Sequence, residues 1–475
     1  MLRLATCRSS LPLAPLSIRA CASNRFHSSR YLLVPSPSPE PSSRSADEPP
    51  PPNLTPAARR RLEPASNFSS SPSLPNAPPN PISPPPDSVP APKRRQITSV
   101  NELPASFGRN QIIQVPEQVE KDLQDVLSAF KKSPIRFAFA YGSGVFRQSG
   151  YTTKDKPLLD FVFAVSHPSH WHAINMQQHP HHYSGLMRLL GSNVVSWLQE
   201  KGLGAQVWFN VEVEVNGKVC KYGCISVDAL CRDMLDWETL YISGRTQKPV
   251  KILLDDARVR LANQVNLASA LRTSLLLLPE SFTEVELFET IASLSYRGDF
   301  RMKVGENPHK VKNIVSAQLS SFRSLYGGLL KSFWKSVHTI GEDGHGVRLM
   351  RQDVSAGVRA TTASRLPRGL RDKVLGHYER KWNLEGAIAL SKAKSLGTKE
   401  KVDEDESRLI DLDQQKLWER IVEDPEFSAI VSKSIGQIVA RPTFNQSLKG
   451  ILSAGILRSL RYVIPKLRKK FSAAK

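Results

Sequence analysis

Two features that could form a phosphate site lie close together in the sequence. Residues 141–144, Tyr-Gly-Ser-Gly, follow one apolar segment, and Asp160 stands inside a second. A Gly-Ser turn after a strand presents backbone N–H groups to phosphate oxygens. A buried carboxylate is costly unless it binds a cation, and Mg²⁺ is commonly held between carboxylates and phosphates. These features predict transfer of a phosphate-linked group, with Asp160 as catalytic residue and metal ligand and with a phosphate cradle formed by Gly142, Ser143 and Gly144.

A complete Mg²⁺ site needs ligands besides Asp160. The alternate position on the same strand is Leu158, so other ligands must come from elsewhere in the chain. The candidates are Asp155, Glu212 and Glu214. The two glutamates are two residues apart on a predicted strand and therefore share a face. The alternative for both is an ordinary solvent-facing position.

Histidines are concentrated in one short segment, because six of the eleven lie between residues 167 and 182. Four of them could suggest zinc, namely His170, His172, His181 and His182. They lack thiolate partners and any recognised ligand spacing. A solvated or phosphate-contacting helical cap is the better interpretation.

Strands and helices must position these residues. Segments rich in apolar, β-branched and aromatic residues predict strands at 136–141, 158–165, 207–215 and 219–226. Asn216-Gly217 is a type I′ hairpin signal, so the strands beside it should pair antiparallel. Helices are expected at 168–202, at 227–243 and in succession from 256 to about 335. The fold class is therefore α+β.

The domain organisation follows from changes in composition. A mixed-sheet domain is expected over residues 98–254 and a helical domain over 255–445. Two segments within the helical domain are rich in charge or in Gly, Arg and Ser, and show no core-facing stripe. We therefore expect exposed insertions at residues 341–375 and 396–408.

The first 97 residues differ from the centre. Residues 1–30 hold five Arg and no acidic residue, which is typical of a mitochondrial transit peptide, with a disordered basic arm as the alternative. Residues 35–92 contain 20 of the 35 prolines. A segment of this composition cannot pack a core, so residues 31–97 are expected to be a disordered linker.

The carboxyl-terminal segment, residues 446–475, has the make-up of a basic amphipathic helix. Eight apolar residues between 448 and 471 occupy one half of a helical wheel. The basic residues expected to contact anionic lipid are Arg458, Arg461, Lys466, Arg468, Lys469 and Lys470. The alternative is a helix packed on the protein's own core.

The net positive charge of the chain does not by itself indicate a nucleic-acid partner, because much of it lies near the two ends. Of the net charge of +21, residues 1–30 and 448–475 contribute 13. The sequence shows no basic stripe interleaved with aromatic residues near Asp160, so no nucleic-acid partner is expected. Cys220, Cys224 and Cys231 match no zinc or redox spacing and are expected to be reduced.

The motifs, taken in order, resemble those of the mitochondrial phosphatidate cytidylyltransferases, the translocator maintenance type. The similarity covers roughly residues 98–335 and continues to Gly298-Asp299. The motifs that carry it include Tyr141-Gly142-Ser143-Gly144-Val145-Phe146, Leu159-Asp160-Phe161, Trp171-His172, Asn175, His182-Tyr183-Ser184, Lys221-Tyr222-Gly223 and Gly244-Arg245.

The resemblance implies synthesis of CDP-diacylglycerol and pyrophosphate from CTP and phosphatidic acid, with Mg²⁺, as a step toward cardiolipin. It also implies a nucleotidyltransferase domain, a winged-helix-like domain and a membrane-binding helix. The location would be peripheral, on the matrix side of the mitochondrial inner membrane, in contact with anionic lipids such as cardiolipin.

The resemblance also implies residue roles. Lys221 would be a catalytic cation, and Arg245, Lys248 and Lys251 would hold phosphates, although each base could instead be a solvated surface charge. The expected substrate region comprises His172, Asn175, His182, Tyr183, Ser184 and Tyr222. Two other functions stay open: a nucleotidyltransferase that acts on RNA, and a non-enzymatic membrane scaffold for protein translocase assembly.

Overall fold

A five-stranded mixed sheet forms the amino-terminal part of the structure, a computed structural model. The structure describes residues 103–146, 158–304, 307–383 and 404–454, apart from residues 105 and 203. The predicted transit peptide and linker, Asp155 and the basic residues from Arg458 to Lys470 therefore lie outside the described residues. No helix in these ranges is long and apolar enough to cross a membrane.

The sheet has the strand order β3-β4-β2-β1-β5. Its strands are β1 Phe137–Tyr141, β2 Leu159–Val165, β3 Val207–Val215, β4 Lys218–Ser226 and β5 Lys251–Leu254. β2 and β4 are parallel, and the other neighbours are antiparallel. The four predicted strands are confirmed to within one residue at each end. The short β5 was not predicted.

The hairpin between β3 and β4 is confirmed. Asn216 and Gly217 both have positive φ, 49° and 73°, as a type I′ turn requires. The antiparallel register shifts between Asn210 and Val213, which marks a bulge in β3.

Helices cover both faces of the sheet. They are α1 Glu117–Ser128, α2 Pro168–Gln178, α3 Gly185–Glu200, α4 Val227–Asp236 and α5 Ser243–Thr246. One sheet face buries Phe139, Val162 and Phe209 with residues of α4. The opposite face buries Phe163 and Tyr222 in a separate cluster with residues of α1 and α2. We call the first the α4 face and the second the α1 face.

Helix α4 is shorter than the predicted 227–243. It ends because Trp237 adopts a left-handed conformation, with φ 55°. The buried carboxylate of Asp233 then accepts hydrogen bonds from the amides of Thr239, Leu240 and Ser243, at 2.8–2.9 Å. Side-chain acceptors of this kind favour a turn over a continued helix.

The remaining residues are mainly helical and carry a small antiparallel sheet of order β6-β8-β7. The helices are α6 Ala257–Leu277, α7 Glu284–Ser293, α8 Phe300–Val304, α9 Lys310–Ala317, α10 Leu319–Ser332, α11 Ala356–Ser364, α12 Arg368–Trp382, α13 Glu404–Glu423 and α14 Phe427–Ala454. The strands are β6 Ser281–Thr283, β7 Val337–Glu342 and β8 Arg348–Gln352. The fold is thus α+β, and the winged-helix-like arrangement stays a prediction.

One expectation for this region is wrong. Residues 341–375 are not an exposed insertion, since Met350, Ala360, Leu370 and Val374 are buried in the main core. Their elements are too short for a hydrophobic period to stand out among the Gly and Arg residues. Of the second expected insertion, residues 396–403 lie outside the described ranges.

The predicted boundary at residue 446 falls inside helix α14. Gln446 is buried there, and its side chain accepts from the amide of Ala205 and donates to the carbonyl of Val207, both at 3.2 Å. Residues 446–454 therefore belong to the folded body. For this stretch the alternative interpretation, a helix packed on the protein's own core, is confirmed.

Candidate active site

Asp160 and Lys221 meet because β2 and β4 are parallel neighbours in register. Asp160 pairs with Lys221 on one side and with Tyr141 of β1 on the other. Nζ of Lys221 lies 3.3 Å from Oδ1 of Asp160, and the two side chains are 16% and 22% exposed. Oδ1 is buried and accepts no hydrogen bond from the described residues, so this contact is an ion pair only. A half-buried carboxylate with an unsatisfied oxygen is suited to binding a cation.

The glycine turn lies directly against this carboxylate, as the sequence predicted. Gly142 has φ 85°, and a Cβ there would lie 3.2 Å from Oδ2 of Asp160. The amides of Val145 and Phe146 both donate to the carbonyl of Gly142, which closes the turn. A Cβ at Gly144 would lie 2.5 Å from the carbonyl oxygen of Leu158, so this position too excludes side chains. The turn and Asp160 form one half-buried site.

Cationic side chains gather on the α4 face beside the turn. The guanidinium of Arg245 lies 4.2 Å from the ring centre of Tyr241 and 5.3 Å from that of Tyr141. Nζ of Lys221 lies 4.7 Å from the ring centre of Phe209. Cations over aromatic faces keep their charge while partly removed from water.

More cations reach this place from the helical region. Nζ of Lys248 donates to Oγ of Ser295 at 3.0 Å and lies 5.0 Å from the ring centre of Tyr296, and Lys310 lies 5.1 Å from the same centre. Arg301 lies 5.8 Å from the Tyr241 ring centre and pairs with Asp299 at 2.7 Å. We call the five basic residues the cationic group: Lys221, Arg245, Lys248, Arg301 and Lys310.

The pKa values report how close these charges are. Burial, together with the neighbouring charges of Arg245 and Lys310, lowers the pKa of Lys248 to about 7. Burial would raise the pKa of Tyr241, but the cations Arg301, Arg245 and Lys221 outweigh it and bring the pKa to about 8. Arg245 and Lys248 form no ion pair with a carboxylate among the residues that the structure describes. Such a concentration of positive charge is suited to a polyanion.

Lys251 does not join the cationic group, contrary to expectation. It pairs with Ala140 in the sheet, so its side chain points to the α1 face, away from Asp160. There its Nζ lies 2.9 Å from Oε1 of Glu120. Successive strand residues face opposite sides of a sheet. Because the short β5 was not predicted, the spacing of three residues from Lys248 did not indicate which face Lys251 occupies.

Among the described residues, no further metal ligands are found near Asp160. Within the described ranges, no three His, Cys, Asp or Glu side chains lie close enough to hold a metal ion. Glu212 and Glu214 therefore do not complete a three-ligand site with Asp160. They lie on β3, which β4 separates from the Asp160 strand. Asp155 lies outside the described residues.

Most of the expected substrate region is buried on the α1 face, opposite Asp160. The hydroxyl of Tyr222 accepts hydrogen bonds from Nδ2 of Asn175 at 2.8 Å and of Asn210 at 2.9 Å, and lies 2.7 Å from Nδ1 of His182. All four side chains are at most 2% exposed. The structure therefore does not bring Asn175, His182 and Tyr222 to the Asp160 site, and their contact with substrate stays a prediction. Tyr222 follows Lys221 directly, and successive strand residues face opposite ways.

The same network continues to His172 and Tyr183. Nε2 of His172 donates to Oε1 of Gln199 at 2.9 Å, and its Nδ1 accepts from the Tyr183 hydroxyl at 2.7 Å. Burial lowers the pKa of His172 to about 4, so this histidine is neutral at physiological pH. The cap interpretation of the histidine segment is thus wrong for His172 and His182, while His170 and His181 are exposed. Ser184, half-buried, precedes α3.

The family model of mitochondrial phosphatidate cytidylyltransferase matches residues 123–469. The chain belongs to this family. A relative from Schizosaccharomyces pombe is 39% identical over 371 residues, which cover 76% of this chain and 86% of the relative. A Danio rerio relative is 38% identical, with 70% and 89% covered, and a Saccharomyces cerevisiae relative is 44% identical, with 49% and 60% covered. All three are named mitochondrial phosphatidate cytidylyltransferases.

Three contributors to this candidate site were not singled out from the sequence. They are Tyr241, Arg301 and Lys310, which stand 80 to 150 residues beyond Asp160. Only the Gly298-Asp299 motif next to Arg301 pointed to that part of the chain. The structure also shows that the three cysteines are free and buried, as expected.

Proposed function

We propose that this protein is a CTP:phosphatidate cytidylyltransferase that makes CDP-diacylglycerol and pyrophosphate. The observation that carries the proposal is the convergence of the Gly142 turn, Asp160 and the cationic group on one sheet face, in a chain of this family. The family name states the reaction, and the geometry supplies groups that it needs.

The reaction needs charge neutralisation and alignment rather than a covalent intermediate. A phosphate oxygen of phosphatidic acid attacks the α-phosphorus of CTP in line. The bond from the α-phosphorus to the bridging oxygen breaks, and pyrophosphate leaves with that electron pair. In this proposal the cationic group holds the triphosphate and stabilises the negative charge that moves onto pyrophosphate. The backbone of residues 142–144 positions the phosphates.

Asp160 is the residue that would hold Mg²⁺. Its buried, unsatisfied Oδ1 fits this assignment, and Mg²⁺ is often bound by one or two carboxylates together with substrate phosphates. When bound, Mg²⁺ would neutralise charge on the β- and γ-phosphates. Lys221 would hold the carboxylate in place from the neighbouring strand.

We further propose a peripheral position on the matrix side of the mitochondrial inner membrane, where the product feeds cardiolipin synthesis. The relatives' names support the mitochondrion. The basic residues beyond 455 support attachment to anionic lipids such as cardiolipin.

The proposal is tested with purified protein, α-labelled CTP, Mg²⁺ and vesicles that contain phosphatidic acid. The expected result is labelled CDP-diacylglycerol, with none formed on phosphatidylcholine vesicles or without Mg²⁺. Transfer of label to RNA instead would support an RNA-directed enzyme. No transfer to either acceptor, by protein that still binds phosphatidic acid vesicles, would support the scaffold.

A further inference from the structure

A second basic site lies in a cavity of about 340 Å³ among α4, α6 and the link between α11 and α12. Four arginines line it, Arg272, Arg365, Arg368 and Arg371, together with one acidic residue, Asp236. None of the lining residues belongs to the cationic group or to the glycine turn. One side of this cavity is formed by the segment 341–375. The proposed function does not explain the arginines of this segment.

The positive charge in the cavity is poorly balanced. Asp236 pairs with Arg368 at 3.0 Å. Arg272, Arg365 and Arg371 have no carboxylate partner among the described residues. Arg371 instead donates to the carbonyl of Ser364 at 3.4 Å. The carboxylate of Asp236 balances one of the four arginines, so the cavity carries three uncompensated positive charges. Like charges this close repel each other.

Burial makes the positive charge of Arg272 still less favourable. Burial lowers the pKa of the Arg272 guanidinium, and the neighbouring Arg365 lowers it further. Both effects disfavour the charged form, which an arginine nevertheless keeps. An anion between these groups would relieve the repulsion and accept hydrogen bonds from their N–H groups.

The start of helix α12 contributes to the same cavity. Its first turn contains no acidic residue and instead carries Arg368 and Arg371, although cations are unfavourable at the positive end of a helix dipole. The N-cap residue, Pro367, offers no side-chain acceptor. A Cβ at Gly369 would lie 2.7 Å from the carbonyl oxygen of Asp236, so glycine is what lets this helix end seat against the end of α4.

We propose that this cavity binds a phosphate-bearing anion, at a site separate from the Asp160 site. Guanidinium groups bind phosphate oxygens through paired hydrogen bonds, and the helix start adds its positive end. The volume suits a phosphate or diphosphate group with a small organic part, which Leu235, Val265 and Leu366 would contact. The anion is either a soluble phosphate compound or the headgroup of an acidic phospholipid. This inference does not depend on the proposed function.

The first experiment titrates the full chain with inorganic pyrophosphate by calorimetry. The test variant is Arg365→Gln with Arg371→Gln, and the matched control is Arg348→Gln with Arg351→Gln, two strand arginines paired with Glu342 and Glu280 outside the cavity. Wild type and control should bind pyrophosphate at two sites. In the test variant, pyrophosphate binding at one of the two sites should become at least about tenfold weaker. Lys248→Gln should instead weaken binding at the other site. Unchanged stoichiometry and affinity in the test variant would overturn the proposal.

The second experiment identifies the source of the anion. It compares co-sedimentation with phosphatidylcholine vesicles that contain or lack phosphatidic acid. If a lipid headgroup is bound, the test variant should bind acidic vesicles several-fold more weakly than the control variant, at a salt concentration that screens the attachment by residues 455–475, and pyrophosphate should compete in wild type. If vesicle binding is unchanged while pyrophosphate binding is lost, the ligand is soluble. Retained CTP binding shows that the variant is folded. Should the double variant unfold, Arg365→Gln alone, at an exposed side chain, replaces it in both experiments.

Discussion

Asp160 and Lys221 occupy paired positions on two parallel strands, with Oδ1 and Nζ 3.3 Å apart. Because the strands are in register, both side chains point to the α4 face, where the glycine turn and the other cations lie. The lysine therefore fixes the carboxylate beside the turn. This relationship makes Asp160 the most sensitive position of the proposed site.

Asp160→Asn should lower turnover of CTP with phosphatidic acid by about three orders of magnitude or more, since the amide keeps the shape but loses the charge that would hold Mg²⁺. The thermal unfolding midpoint should change little. The control is Asp228→Asn, at an exposed residue paired with Arg258, which should leave activity unchanged. Activity near wild type in Asp160→Asn would exclude Asp160 as a metal ligand.

Gly142→Ala should impair catalysis as well as stability. A non-glycine residue at positive φ costs about 1–2 kcal/mol, and here the new Cβ also presses on Oδ2 of Asp160 at 3.2 Å. Gly217→Ala is the matched control, because Gly217 has φ 73° but open space around it. Denaturant unfolding should show similar losses of stability for both variants, whereas kcat should fall only for Gly142→Ala. Equal kcat values for the two variants would show that the turn at Gly142 has no part in the reaction.

The KM for CTP should rise with pH above about 7. Lys248, with its pKa near 7, is cationic below that pH and neutral above it, and phosphates bind the cation better. The groups that face it are Arg245 and Lys310, which lower its pKa, and Ser295 with the ring of Tyr296. Profiles of kcat/KM against pH should show this step in wild type and lack it in Lys248→Met. An identical step in the variant would assign the titration to another group.

Lys251→Met should affect stability and spare CTP binding, the reverse of Lys248→Met. Lys251 is buried against Glu120 on the α1 face, so its loss should cost about 1–2 kcal/mol, less than for a fully buried pair because Glu120 can turn to water. Urea unfolding gives the stability, and CTP titration gives the affinity. Weaker CTP binding in Lys251→Met at unchanged stability would restore Lys251 to the phosphate site.

Removal of residues 455–475 should release the protein from anionic vesicles. Basic residues near an anionic surface contribute about 1 kcal/mol each, and binding of the full chain should weaken with salt. The cut is placed after α14, because Gln446 and Lys449 are buried in the fold. The truncated chain should still bind CTP and should turn over vesicle-borne phosphatidic acid poorly. Sedimentation equal to that of the full chain would show that another surface meets the membrane.

The sequence by itself determined four of the five strands of the larger sheet, the β3–β4 hairpin, the glycine turn beside Asp160 and the family. These follow from local patterns, since strand alternation and turn chemistry act over a few residues. The small β6-β8-β7 sheet and the end of α4 escaped prediction because short elements leave little pattern, and because the carboxylate of Asp233 is what ends α4.

Only the tertiary structure decided which residues share a site. It placed Lys251 and Tyr222 on the face opposite Asp160, and it brought Arg301 and Lys310 to Arg245 and Lys221. The sheet face that a side chain occupies depends on pairing register, and the meeting of distant cations depends on how helices pack on that sheet. Both are set by contacts between segments far apart in the chain, which local sequence patterns do not record.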